Sequence, residues 1–152
     1  MKRQPNSRMC FVCGLENPIG FKLIFQQDDE RVWTEFTPQE EHQGWPGIMH
    51  GGLVCTLLDE VMARSFFFDG EERWMVTIKM EVRYLKPVPI GVASTLVGGV
   101  TRLTERLIEA WGEIRLADGS LAARGEATYV QAPKGLIGTL RQESSFWRVV
   151  EG

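Results

Sequence analysis

A chain of 152 residues with 43% apolar and 24% charged side chains can bury one self-sufficient core, and this composition belongs to an ordered domain rather than a disordered one. The net charge of −3 gives no basic footprint for nucleic acid, and no apolar run reaches the length of a membrane span. The opening MKRQPNSRMC lacks the apolar core of a signal peptide, and three cysteines suit a reduced compartment better than a disulfide framework; a cytoplasmic, single-domain protein (1–152) is expected.

Residues 1–20 read as an N-terminal segment, loose over 1–9, that carries Cys10-Phe11-Val12-Cys13-Gly14 and Asn17-Pro18-Ile19-Gly20. A CxxC is half of a zinc site. No second CxxC or HxxxH follows, and the only histidines are His42 and His50, so no metal and no cofactor is expected. The plain reading is two partly buried thiols in a turn; a zinc shared between subunits or a redox pair is the other. Residues 21–26 and 31–36 alternate as two strands around the polar turn Gln27-Asp28-Asp29-Glu30. Residues 37–49, TPQEEHQGWPGIM, are punctuated by two prolines and two glycines and read as a loop.

From His50 to Phe68 the chain becomes apolar at three-and-four spacing: Leu53, Val54, Leu57, Leu58, Val61 and Met62, then Ser65 and Phe66. That spacing predicts a helix. The opposite face offers Cys55, Thr56, Ala63 and Phe67, so the helix should be buried. Glu60 precedes Arg64 by four residues in the favourable order for an ion pair, and reads as a solvated charge. Asp59 has no base on its own helix; it must find a partner elsewhere, shift its pKa or meet water in a cleft. Gly51 and Gly52 open the helix where unpaired N–H groups and partial positive charge gather, and glycine lets a ligand approach that backbone. Gly51 and Asp59 lie roughly 12 Å apart along such a helix, so one substrate touching both would bridge elements or subunits.

After an expected turn at Asp69-Gly70, residues 75–85 alternate, with Val76, Ile78, Met80, Val82 and Tyr84 on one face and Thr77, Lys79, Glu81 and Arg83 on the other. The apolar face is expected to receive the helix. Residues 92–103, 106–116 and 121–130 complete the strands, with a hairpin signal at Ala117-Asp118-Gly119. Gly98-Gly99 suggests a bulge or a close backbone approach. Residues 131–152 form a tail, with a short helix or docked segment over 140–150. Strand, strand, helix and four strands define an α+β domain in which an antiparallel sheet of about six strands covers one long helix.

The stretch PGIMHGGLVCTLLD, with an HGG opening the helix and an acid nine residues after the histidine, resembles the signature of the hotdog-fold acyl-CoA thioesterases, in the phenylacetyl-CoA thioesterase branch. The resemblance spans residues 10–130 and implies a homodimer, or a tetramer built from such dimers, with sites at the subunit interface. It implies Asp59 as general base or nucleophile, the Gly51 amide as oxyanion donor from the other subunit, and Thr77 as the hydroxyl that orients water. His50 would hydrogen-bond the thioester or brace the loop. Gly52, Trp45, Gln43 and Met62 would contact substrate, and Lys79 and Arg83 would meet the phosphates of coenzyme A. Where some members carry Asn six residues before the histidine, this chain has Gly44. Two further readings stay open: an acyl-CoA sensor that does not cleave, and a hydroxyacyl-thioester dehydratase suggested by His42-Gln43-Gly44-Trp45-Pro46. The dehydratase acid would fall at Thr56, which counts against it. The acyl group is not legible.

Overall fold

The computed structural model describes residues 1–67 and 73–151. Helix α1 (Gly51–Phe67) lies across one face of a seven-stranded antiparallel sheet. The strands are β1 (Lys2–Arg3), β2 (Gln26–Gln27), β3 (Val32–Phe36), β4 (Met75–Tyr84), β5 (Ser94–Leu103), β6 (Leu107–Arg115) and β7 (Leu121–Gln131). Their order is β1-β2-β3-β5-β6-β7-β4, so among the described residues β4 pairs only with β7 and its outer edge is unpaired. The expected turn at Asp69-Gly70 lies outside the described residues, as does Phe68.

The seat of α1 is a row of glycines. Gly98, Gly112 and Gly125 stand opposite one another on β5, β6 and β7. A Cβ on Gly98 would lie 3.0 Å from the Val61 carbonyl oxygen, and one on Gly112 would lie 3.0 Å from Val61 Cγ1. Bare backbone at these positions lets the helix descend onto the sheet. Gly98 therefore fulfils the expected close approach, while the irregularity of β5 falls later, between Val100 and Arg102. Leu57, Leu58, Val61 and Met62 are fully buried there, each worth about 1.5–3 kcal/mol of apolar burial.

Five expectations need correction. Residues 21–26 do not form a full strand: only Gln26 and Gln27 join the ladder. Lys22 has φ of 53°, and the Phe21 and Leu23 N–H groups bond to the Phe11 and Val12 carbonyls, each at 2.9 Å, so the cysteine turn takes this backbone away from the sheet. The first residues are not loose. Lys2–Arg3 pairs with Gln26–Gln27, Gln4 and Asn6 are buried, and Asn6 bridges to Arg148 of the tail. The tail helix, α2 (Lys134–Ser144), begins earlier than expected and runs through Gly135 and Gly138.

Glu60 does pair with Arg64, Nε to Oε1 at 2.7 Å, but the pair is not solvated. Arg64 is 5% exposed, bonds to Gln4 and Pro5, and lies 4.5 Å from the centre of the Phe25 ring. Burial pushes the Glu60 carboxyl above its ordinary value, against the pull of Arg64.

The fifth correction concerns the faces of β4. Thr77 pairs with Tyr129, but Lys79 pairs with Thr128, leaving Ile78 as an extra residue. A bulge of this kind reverses the parity of the strand. Thr77 thus shares the helix side with Met80, Val82 and Tyr84, which strict alternation had placed opposite it.

Candidate active site

At the N-terminus of α1, His50 acts as the cap. Its carbonyl accepts the Leu53 and Val54 N–H groups at 3.0 and 3.1 Å, and its Nδ1 accepts the Gly52 N–H at 2.9 Å. With Nδ1 accepting, the ring proton is assigned to Nε2, which points away from the cap. A Cβ on Gly52 would lie 3.0 Å from Nδ1, so glycine spares the imidazole a tight contact there. A Cβ on Gly44 would lie 3.1 Å from His50 Cα, a tight contact for any side chain there. Of the two roles considered for His50, the brace is built into the structure.

Gly51 occupies the first helical position, where its N–H has no intrahelical partner. Its carbonyl accepts the Tyr84 hydroxyl at 2.7 Å, and the same hydroxyl lies 2.9 Å from Cys55 Sγ. Burial, and then the Cys55 thiol, push the Tyr84 hydroxyl up to about 12. The Gly51–Gly52 peptide is anchored through its oxygen; the Gly51 N–H belongs to the preceding peptide, and among the described residues it meets no acceptor.

Two turns along the helix, half-buried Asp59 faces β4 and β7. Its Oδ1 accepts two hydroxyls, Thr77 Oγ1 at 2.9 Å and Tyr129 at 3.0 Å. Tyr129 is 1% exposed and also lies 3.1 Å from the Asp59 carbonyl, so it ties both backbone and side chain. Burial and the adjacent Asp59 charge push the Tyr129 hydroxyl upward, which keeps it protonated and a donor. Among the described residues no donor reaches Oδ2. The carboxylate is fixed by one oxygen and open at the other, the arrangement that proton abstraction or nucleophilic attack requires. Tyr129 and Tyr84 were missed in the sequence. The signal for Tyr129 was its place among Ala123, Gly125 and Ala127 on one face of β7, since a buried tyrosine hydroxyl seeks a partner.

The other expected residues are scattered. Trp45 is 79% exposed at the tip of a tight loop closed by Gly44 N–H to the Ile48 carbonyl. Gln43, exposed on the same loop, accepts the Gly47 N–H at 3.4 Å. Met62 is fully buried over Gly112 and Gly125, so it belongs to the helix–sheet core and not to an accessible pocket wall. Lys79 and Arg83 are exposed on the β4 face turned away from α1. The structure does not bring them to Asp59 or Gly51 within one chain. His42 accepts the Gln39 N–H through Nδ1 at 2.9 Å, and its ring lies against Phe21 with centroids 4.3 Å apart.

Residues 46–123, just over half of the chain, match the family model described as Thioesterase superfamily. The chain belongs to that superfamily. Human acyl-coenzyme A thioesterase 13 is 28% identical over 116 residues, covering 74% of this chain and 81% of that protein. Rat acyl-coenzyme A thioesterase THEM4 is 26% identical over 91 residues, 59% of this chain and 38% of that protein. Against three curated relatives the chain spans 62%, 38% and 59% of their length. A crystallised thioesterase superfamily protein superposes with a TM-score of 0.74 at 31% identity, covering 81% of this chain and 63% of that one. A hypothetical thioesterase from Streptococcus pneumoniae, solved with coenzyme A, superposes with a TM-score of 0.65 at 19% identity, covering 70% of this chain and 82% of that one. These neighbours share the hotdog arrangement of one long helix on an antiparallel sheet.

Proposed function

We propose that this protein hydrolyses an acyl-CoA thioester to the free acid and coenzyme A. The observation that carries the reading is Asp59, held at Oδ1 by Thr77 and Tyr129 and open at Oδ2. As a base, Oδ2 takes a proton from water; the hydroxide attacks the thioester carbonyl, and a carbon–oxygen bond forms. The oxyanion is met by the Gly51 N–H at the positive end of a helix. Collapse breaks the carbon–sulfur bond, and the proton held by Asp59 passes to the departing thiolate. As a nucleophile, Oδ2 attacks directly and water then cleaves the acyl-enzyme. A single turnover in water labelled with heavy oxygen tests them: the general-base route puts the label in the product acid, whereas the nucleophilic route with water attacking the aspartyl carbonyl of the anhydride delivers an unlabelled aspartate oxygen to the product and leaves the label on Asp59.

Gly51 and Asp59 are too far apart along α1, roughly 12 Å by helical rise, to meet one thioester within a chain. The unpaired edge of β4 supports a homodimer that brings the Gly51 of one subunit to the Asp59 of the other. Exposed Ile78 and Leu85 lie in and just beyond that strand.

The test is thiol release from a panel of aromatic and aliphatic acyl-CoAs, wild type beside Asp59→Asn. We expect turnover in the wild type and its near-complete loss in a folded mutant. Turnover retained in the mutant would remove Asp59 from the mechanism. Binding without cleavage by the wild type on every member would make the protein an acyl-CoA sensor.

A further inference from the structure

The cysteine turn, to which the hydrolase reading gives no task, converges on α1 one residue beyond Asp59. Cys10 Sγ, Cys13 Sγ and a Glu60 carboxylate oxygen all lie within 4.8 Å of one another. The second half of a metal site, absent from the sequence as a motif, is therefore supplied in space by the helix. Cys10 Sγ stands 3.6 Å from Glu60 Oε2. Sulfur and oxygen ligands on a tetrahedral zinc, with bonds of about 2.3 and 2.0 Å, lie about 3.5 Å apart.

The backbone around the sulfurs suits thiolate ligands. The Val12 and Cys13 N–H groups point at Cys10 Sγ at 3.4 and 3.5 Å, and the Ser7 hydroxyl lies 3.4 Å from Cys13 Sγ. Such donors stabilise negative sulfur and orient it. The turn closes through the Gly14 N–H to the Cys10 carbonyl at 2.8 Å. A Cβ on Gly14 would lie 2.4 Å from the Cys10 carbonyl oxygen, so only glycine fits there. Arg64 holds Glu60 by Oε1 at 2.7 Å, which turns Oε2 toward the sulfurs. Two thiolates, Glu60 and Arg64 sum to a charge of about −2, which a divalent cation neutralises in this half-buried place. A disulfide would use neither Glu60 nor the N–H groups aimed at sulfur.

We propose that Cys10, Cys13 and Glu60 bind a zinc ion, with water as the fourth ligand, and that the ion fastens the N-terminal turn to the helix bearing Asp59. The site stands independently of the hydrolase reading, and its test uses no turnover. Metal-stripped, reduced full-length protein is titrated with zinc and with cobalt(II), followed by native mass spectrometry and by the thiolate-to-cobalt charge-transfer absorption. We expect one metal per chain, and a higher melting temperature when it is bound. Cys10→Ser and Cys13→Ser should lose the charge-transfer band, Glu60→Gln should weaken binding on the order of tenfold or more, and Cys55→Ser should keep the band. Circular dichroism checks that each variant is folded, and the wild-type stoichiometry decides even where one is not. No stoichiometric metal on the reduced wild type, or an unchanged affinity in a folded Glu60→Gln, would overturn the proposal. So would an intact mass short of two hydrogens after purification without reductant, which would assign the pair to a disulfide.

Discussion

One oxygen atom tests whether the Asp59 carboxylate is held for chemistry. Tyr129→Phe keeps the buried ring and its edge contact with Phe66, whose centroid is 4.9 Å away, and deletes the hydroxyl that reaches Oδ1 at 3.0 Å. A hydrogen bond to a charged group is worth about 1.5–3 kcal/mol. If that bond orients Oδ2 in the transition state, kcat/KM should fall by about 13- to 160-fold, at about 1.36 kcal/mol per decade. The loss should sit in kcat, because neither the Tyr129 nor the Thr77 hydroxyl is placed to bind the substrate. Thr77→Ala removes the other donor, at 2.9 Å. Since both share one acceptor, the double variant should lose less than the product of the two single losses. Thiol release at limiting and saturating acyl-CoA measures all three, with circular dichroism to check the fold. A Tyr129→Phe protein within about threefold of wild-type kcat/KM, beside an inactive Asp59→Asn, would refute the reasoning. The hydroxyl would then serve only the Asp59 carbonyl, as an anchor for the helix.

Three further outcomes are expected. Gly112→Ala sets a Cβ 3.0 Å from Val61 Cγ1 and 3.1 Å from Met62 Cγ; overpacking of about 1–3 kcal/mol should lower the melting temperature by about 2–12 °C, whereas Gly135→Ala, with nothing within 4 Å, should leave it level or raise it, and an unchanged Gly112→Ala protein would unseat the helix–sheet account. Because burial and the Asp59 charge raise the Tyr129 hydroxyl above the ordinary tyrosine value of about 10, its contribution to stability is whole below pH 10 and declines above it, where the unfolded chain gives up the proton and the folded one keeps it. Denaturant unfolding near pH 9 and pH 11 should show wild type losing about 1.4 kcal/mol per pH unit relative to Tyr129→Phe above that point, and a constant difference would contradict it. Light scattering should give the mass of a dimer or a multiple of it; a monomer with full turnover would sink the shared site.

What could be read from the sequence divides by the range of the interaction. The helix and the last four strands announce themselves by period, because burial of one face repeats every few residues. The unpartnered Asp59 was visible for the same reason: its i±3 and i±4 neighbours can be counted. Its partners could not be, since Tyr129 lies 70 residues away and reads as an ordinary strand tyrosine. Thr77 was suggested only by resemblance, and the alternation of the strand argued the wrong face for it. The extra residue at Ile78 corrects that face, and a bulge leaves no mark in a pattern of period two. Glu60 shows the limit of local rules. The i,i+4 spacing found Arg64 but not the segment 1–25 that covers them both, which has no period to reveal it.

Asp59 and Glu60 are adjacent acids with opposite surroundings, because about 100° of helical turn separates them. One faces the hydroxyls of β4 and β7; the other faces the N-terminal turn and the Arg64 cluster. The helix is fixed in height by Gly98, Gly112 and Gly125, and the buried Leu57, Leu58, Val61 and Met62 resist rolling about its axis from the sheet side. The Glu60–Arg64 cluster, held by Gln4, Pro5 and Phe25, adds resistance from the far side. A roll that withdrew Glu60 from Arg64 would also pull Oδ1 of Asp59 away from Thr77 and Tyr129. The N-terminal segment and the hydroxyls of β4 and β7 thus hold neighbouring residues of one helix from opposite sides.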